Sequence, residues 1–406
     1  MMTEYKSLEE QVGISGYYLQ FSGVGGIIKQ IPEDFIVCEI IPNGQPLTTG
    51  REIGEDIGGM YIHFVLWKRG LDTHSALLKI KRLCSLNEND FGYAGLKDAQ
   101  GVTYQRVSIW NGNKECLGQI NLPDLKILNP IRKKFGISIG DLLGNYFQVK
   151  IRNIQREMDQ EELNSFCSDA ESNGFLNYYG LQRFGSKRPI LHMFGKYVLR
   201  EKYSLAVDLY LGGSSEFENE KITKIRQMYA REESLVDVFE SFPSRYSFER
   251  KMLRGLIKGH SKEKIIKSLP IYFLRLAVSA YQSYIFNQML STLNNQNYEL
   301  LSKTNLPIIG YSTDVSKYPL EIKSFLHDYF SMDDFRLDFF KHKIKKVSSK
   351  GTERAAIVKP YKIKALSDYT QDKNIEIHFS LSKGSYGTMF LREFLKNRIN
   401  QFNYSG

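Results

Sequence analysis

The sequence predicts an α+β fold in which a strand-rich domain is interrupted by a largely helical insertion. Period-two alternation of apolar and polar residues runs through the first half of the chain and returns near its end. Helical periodicities dominate after about residue 196. At 406 residues the chain is long for one compact domain and comfortable for two, so two consecutive domains is the competing layout.

In chain order, Gly23, Gly25 and Gly26 lack the spacing of a phosphate loop and read as a flexible turn. Phe35 to Ile40 and Tyr61 to Leu66 alternate as strands, and Thr73 is placed to cap a helix carrying Ala76, Leu77, Ile80 and Leu83 on one face. Tyr146 to Ile151 reads as a further strand. A polar-faced helix over Glu157 to Ser172 then ends at the turn-forming Asn173-Gly174. Helical spacing runs from Lys262 to Leu290; within it Arg275, Gln282, Asn287 and Gln288 interrupt the apolar stretch, which therefore reads as a buried helix and not a membrane span. A basic run, Lys341 to Lys346, precedes Ser348, Ser349 and Gly351. Ile375 to Phe379 is a last strand, followed by a helix from Tyr386 to Asn397. No internal repeat or low-complexity tract is visible.

Hydrophobic content of 42% with 25% charged residues is ordinary for a globular protein. The formal net charge of +10 and pI near 9.1 are not, and they favour a polyanionic partner such as nucleic acid. The four cysteines, Cys38, Cys84, Cys116 and Cys167, form no C-x-x-C pair, which argues against a zinc ribbon or disulfide framework and fits a reducing cytoplasm. The seven histidines contain no H-x-x-x-H pair. The polar, acidic start MMTEYKSLEEQ is not a signal peptide.

One stretch invites chemistry. Phe91 to Gln105 reads F-G-Y-A-G-L-K-D-A-Q-G-V-T-Y-Q, an apolar run that breaks at Lys97-Asp98 and resumes as Arg106 to Trp110. A carboxylate at a strand tip is held rigidly yet faces a cleft, as a nucleophile or base must; taken alone it is more often a turn residue. Lys97, adjacent in an extended segment, should point to the opposite face from Asp98, toward structure or a phosphate.

Four further segments give that carboxylate company. They are K-Q-I-P-E-D-F-I-V-C-E from Lys29, G-D-L-L-G-N-Y-F from Gly140, N-Y-Y-G-L-Q-R-F-G from Asn177, and L-S-K-G-S-Y-G-T from Leu381 on to Leu391-Arg392-Glu393. With G-L-K-D-A-Q-G-V-T-Y-Q, and in this order over nearly the whole chain, they resemble the TruD family of tRNA pseudouridine synthases. Ser283 to Asn287 and the Leu306 to Gly310 turn are similar to landmarks of the same family.

The resemblance implies a pseudouridine synthase catalytic domain with a mixed β-sheet, in residues 1–196 and 353–406, around an insertion (TRUD) domain in 197–352. It places Asp98 on the catalytic aspartate and Lys29 on the basic residue that pairs with it. Phe35 and Asn177 fall on pocket positions, Tyr179 on the aromatic that packs against a flipped base, and Tyr386 on a further aromatic near the pocket. It implies isomerisation of a uridine, uridine 13 of tRNA in this family, without cofactor or metal, by a cytoplasmic protein expected to be a monomer with tRNA as its partner. The sequence departs from the family where Tyr179 replaces the usual Phe, where Ala99 and Gly101 follow the Lys-Asp pair, and where Gly387 replaces Ala. These changes leave Asp98, Thr103 and Gln105 in place.

The reaction breaks the N1–C1′ bond of uridine and rejoins C1′ to C5. A carboxylate serves it either as covalent nucleophile or as the base that removes a ribose proton, and the sequence does not separate the two. Lys29 is expected to orient that carboxylate. Unstacking the uridine costs a few kcal/mol, against about 1–3 kcal/mol per base from an aromatic platform such as Tyr179 or Phe35. Asn177 either reads a uracil edge or caps a turn. Arg132, Lys133, Lys134, Lys187 and Arg188 are candidates for holding RNA phosphates, together with the Lys341 to Lys346 run; Arg183 either joins them or braces the fold. Two rivals remain. A non-catalytic RNA-binding or chaperone protein explains the charge, and a carboxylate hydrolase would recruit Glu33, Asp34 or Glu39, which read better as structural.

Overall fold

Alternation in the first half of the chain resolves into a single mixed sheet. The computed structural model describes residues 7–87, 90–97, 99–296, 298–368 and 373–396. They divide into two compact units: Leu19–Phe175 with 358–396, and residues 7–18 with Leu176–Ile357.

The first unit contains strands β1 (Phe35–Ile40), β2 (Tyr61–Arg69), β3 (Phe91–Tyr93), β4 (Val102–Trp110), β5 (Leu125–Lys133), β6 (Gly144–Ile151), β7 (Tyr361–Asp368) and β8 (Asn374–Ser382). Their order is β7-β8-β6-β1-β4-β2-β5. The β1–β4 pair is parallel, with Ile36 beside Val102, and the other ladders are antiparallel. β1 and β3 share one side of β4: β1 covers Val102 to Tyr104 and β3 covers Val107 to Ile109. The loop between β3 and β4 carries the Lys97-Asp98 pair and closes where β1 begins.

Strand β2 is buried on both faces. Ile62, Phe64 and Leu66 pack on Ala76, Leu77 and Ile80 of the helix Thr73–Leu83, while Val65 packs the other way on Ile41, Leu47, Ile53 and Ile131. Each buried Val, Leu, Ile or Phe side chain among them contributes about 1.5–3 kcal/mol by leaving water. Three local expectations are corrected here. Asp72, not Thr73, caps that helix through Ser75 N, which frees the Thr73 hydroxyl, and Leu83 is exposed. Gly23, Gly25 and Gly26 are buried, not a flexible surface turn; a β-carbon at Gly23 would lie 2.4 Å from Lys396 Cβ. Cys84 and Cys116 form a disulfide, because the helix Lys114–Gly118 brings Cys116 beside the C-cap of the preceding helix.

The second unit holds the whole of the expected insertion, residues 197–352, together with the N-Y-Y-G motif. Its longest element is the helix Ile271–Gln296, buried over most of Ala277 to Leu293, which Pro270 separates from the shorter Lys262–Ser268. None of the described helices is long and apolar enough to cross a membrane.

Candidate active site

The residue preceding Asp98 is fixed at three points. Lys97 N–H donates to Thr73 Oγ1 at 2.9 Å, and that hydroxyl donates to Gln105 Oε1 at 2.9 Å. Gln105 Nε2 returns to Gly95 O at 3.3 Å, so β4 holds both ends of the Gly95 to Lys97 segment. Lys68, fully buried, donates to Leu71 O at 2.6 Å and reaches Lys97 O at 3.5 Å. The Lys97 side chain turns inward, donating to Asn145 Oδ1 at 2.7 Å with Glu39 Oε2 at 3.3 Å. The expectation that Lys97 serves structure is met, and a phosphate has no access to it. Burial pushes the Glu39 carboxyl up and the Lys97 ammonium down from their ordinary values, and each partly offsets the other.

Asp98 itself lies outside the described residues. Beyond it the backbone returns at Gly101, where a β-carbon would stand 2.4 Å from Phe35 O. Phe35 is buried, edge-on to Phe147 at 6.1 Å, and carries Lys29 Nζ 4.2 Å above its ring. Lys29 has φ of +58°, a conformation unusual for a non-glycine residue and concentrated at functional sites. Tyr386 caps the helix Gly387–Leu395, and the next residue explains a departure from the family pattern: a β-carbon at Gly387 would lie 2.6 Å from Phe147 Cε1. The sheet unit thus gathers Lys29, Phe35, Phe147 and Gly101, with Tyr386 one residue from contact.

The other three acidic candidates are engaged. Glu33 pairs with Arg69 at 2.5 Å, Asp34 pairs with Arg152 at 2.8 Å and caps Ile31 N at 3.0 Å, and Glu39 pairs with Lys97. Among the described residues no group of three or more His, Cys, Asp or Glu is placed to hold a metal.

In the second unit, Asn177 and Tyr179 are brought together by a residue that sequence reasoning missed. Arg354 donates through Nη2 to Asn177 Oδ1 at 2.5 Å and through Nε to Asn177 O at 3.1 Å, and its guanidinium lies 4.2 Å from the Tyr179 ring centre. Asn177 Nδ2 donates to Ala355 O at 2.9 Å. Both ends of that amide therefore brace the motif, which favours the turn-capping reading over a uracil reader. Asn287 grips Tyr179 from the long helix, accepting from its N at 2.9 Å and donating to its O at 3.0 Å. That bond is the physical content of the Ser283 to Asn287 landmark. Arg354 and Tyr179 are 175 positions apart, and the only signal available was the lone arginine two residues after Thr352.

Of the phosphate candidates, Lys134 is exposed, and Arg132, Lys133 and Lys187 are half-buried. Arg188 is corrected: its Nη1 donates to Tyr210 O at 3.0 Å and Gly213 O at 2.8 Å. Its other nitrogens stand 3.6–3.7 Å from Glu218 and Glu249, so it is a brace shared with the buried Arg226. Arg183, bonded to Ser283 Oγ at 3.3 Å, braces likewise.

The chain is similar to known proteins along nearly its whole length. The family described as tRNA pseudouridine synthase D (TruD) matches residues 11–305 and 294–394. A probable tRNA pseudouridine synthase D 1 of Methanocaldococcus jannaschii is 32% identical, over 94% of this chain and 98% of its own. A probable tRNA pseudouridine synthase D of Archaeoglobus fulgidus is 30% identical, over 97% and 100%. The crystal structure of a putative tRNA pseudouridine synthase D (TruD) from Methanosarcina mazei superposes with a TM-score of 0.75 at 28% identity, covering 97% of this chain and 99% of that one.

Proposed function

We propose that this chain, which belongs to the TruD family of tRNA pseudouridine synthases, isomerises uridine 13 of tRNA with Asp98 as the reacting carboxylate and the uridine turned out of its stack. As a family member it is an isomerase acting on tRNA. The bonds balance within the substrate: N1–C1′ breaks, C5–C1′ forms, C5 loses a proton and N1 gains one.

The observation that carries the reading is the three-point clamp on Lys97. Buried or half-buried groups from β1, β2, β6 and the helix Thr73–Leu83 converge on one loop residue, and the one after it is the motif aspartate. Rigid support of this kind is what a reacting group requires and a simple turn does not. A chaperone on the same scaffold has no need of it. Purified protein incubated with a tRNA transcript should form pseudouridine at position 13 and release no free uracil. Pseudouridine at another position alone would overturn the site assignment, and free uracil would favour the hydrolase.

Lys29 is given the role of orienting the reacting carboxylate. Lys29→Met is expected to lower single-turnover rate at saturating tRNA by about 100-fold, as loss of one electrostatic contact does in other enzymes, with a much smaller effect on affinity. A defect rescued by more RNA would make Lys29 a phosphate contact. Arg354→Lys keeps the charge but loses the planar fork that holds Asn177 and Tyr179. Misplacement by about an ångström costs up to about 100-fold in rate, so kcat should fall by roughly 10–100-fold while KM changes little. Unchanged kcat would leave Arg354 with folding alone.

A further inference from the structure

The sheet unit exposes apolar side chains that the catalytic reading does not use. Phe135 is 81% exposed, Ile139 75% and Leu96 71%. Exposed apolar residues are ordinary; an exposed phenyl ring on a pinned backbone segment beside a functional loop is not. Phe135 and Ile139 lie on the segment between β5 and β6, and this segment is anchored on the strand leading to Lys97. Gly140 N donates to Ala94 O at 2.8 Å, and Ile137 packs with Ala94 and Leu142. Ile137 N donates to Ser108 Oγ at 2.9 Å, and His63 Nε2 donates to Phe135 O at 2.7 Å. The backbone under Phe135 is therefore pinned on both sides while its ring stands in solvent.

Cations lie on the same segment and against it. The exposed Lys134 precedes Phe135, and the exposed Lys383 donates to Gly140 O at 3.0 Å. The nearest carboxylate in sequence, Asp141, is turned onto Ser138 N at 2.8 Å. A second copy of the chain is a poor occupant, because a two-fold contact would set these ammonium groups against themselves. A polyanion carrying exposed flat rings fits both features: phosphates meet the lysines and a base stacks on a preorganised phenyl ring.

We propose that Phe135 is a stacking platform for unpaired tRNA nucleotides flanking the target uridine, with Lys134 and Lys383 holding their phosphates. The inference rests on the tRNA-isomerase reading and adds a second contact to it. The platform is outside the reacting pocket, so it acts on RNA capture and orientation.

The test is tRNA binding by fluorescence anisotropy between 50 and 200 mM salt for wild type, Phe135→Ala, Phe135→Trp and Lys134→Gln, with sedimentation velocity of each protein alone. Loss of one stacked base is worth about tenfold in affinity. Phe135→Ala should bind about tenfold more weakly with the salt slope of wild type, and Phe135→Trp should restore binding. Lys134→Gln should instead reduce the slope, by about one. Wild-type affinity in Phe135→Ala, or failure of Phe135→Trp to restore it, overturns the platform. So does a change in sedimentation on removing Phe135, which would assign the ring to a protein contact. Pseudouridine formation by the wild type in the same preparation separates the two readings: product without a Phe135 effect sinks the platform alone, and no product sinks the isomerase reading.

Discussion

Replacing Asp98 with Asn should reduce pseudouridine formation at least 10⁴-fold, to the background of the assay, while tRNA affinity stays within about twofold. Asn matches Asp in size and keeps one acceptor oxygen, but it neither attacks C1′ nor accepts a ribose proton at useful rates. The loss should therefore fall on the chemical step. The scaffold should persist, because Lys97 and Gln105 on either side are fixed by contacts of their own. Mapping pseudouridines in total tRNA treated with wild type and variant reads the outcome directly. Wild-type turnover in the variant would remove Asp98 from the mechanism. The two carboxylate roles separate by isotope: deuterium at C2′ of the target uridine gives a large primary effect where Asp98 takes that proton and only a small secondary one where it attacks C1′ directly.

Much of the fold was legible because its strands announce themselves by composition. β1, β2, β6 and β8 fall where alternation or apolar runs placed them, with bounds differing by a few residues. Such patterns record which residues leave water, and that is decided locally. Most of the misjudged residues depend on distant partners. Arg188 looked available to RNA, since nothing near it in sequence reveals that Glu218 and Glu249 come back to neutralise it. Arg354 was passed over for the same reason, its partners Asn177 and Tyr179 lying far earlier in the chain. Thr73 was assigned a helix cap; Asp72 takes that role, and the hydroxyl supports Lys97 instead. Cys84 and Cys116 are 32 positions apart and meet only through the packing of two helices. Lys29, Phe35 and Lys97 could be named from motifs, but the left-handed backbone at Lys29 and the direction of the Lys97 side chain are properties of the folded state.

Glu39→Leu should be the most destabilising single change in the sheet unit. Glu39 has no exposed surface and Lys97 is 9% exposed, with Arg106 as a second cation beside the pair. Removing one partner of a buried ion pair costs about 3–5 kcal/mol, because the remaining charge keeps its desolvation penalty and loses its counter-charge. For a unit of this size that is a fall of roughly 6–20 °C in Tm. Glu39→Gln, which keeps the volume and an acceptor, should lose less. The pH dependence distinguishes this cause from simple mispacking. Burial holds the Lys97 ammonium below its usual value, so between that value and the ordinary lysine range the unfolded chain binds more protons and stability rises with pH. The Glu39 carboxyl, held up by burial, acts in the opposite sense: it takes up a proton on folding, so its contribution declines as pH rises out of the carboxyl range. In Glu39→Leu only the lysine effect remains and is larger, so the variant should recover stability as pH is raised from 7 toward 10, measured by thermal melting. Glu39→Leu combined with Lys97→Met should recover most of the loss at neutral pH, since both buried charges are gone. The double variant retains the Thr73 and Lys68 contacts to the Lys97 backbone. If it is stable yet slow at saturating tRNA, the buried pair sets the angle at which the loop presents Asp98; if it is stable and fully active, the pair belongs to folding alone.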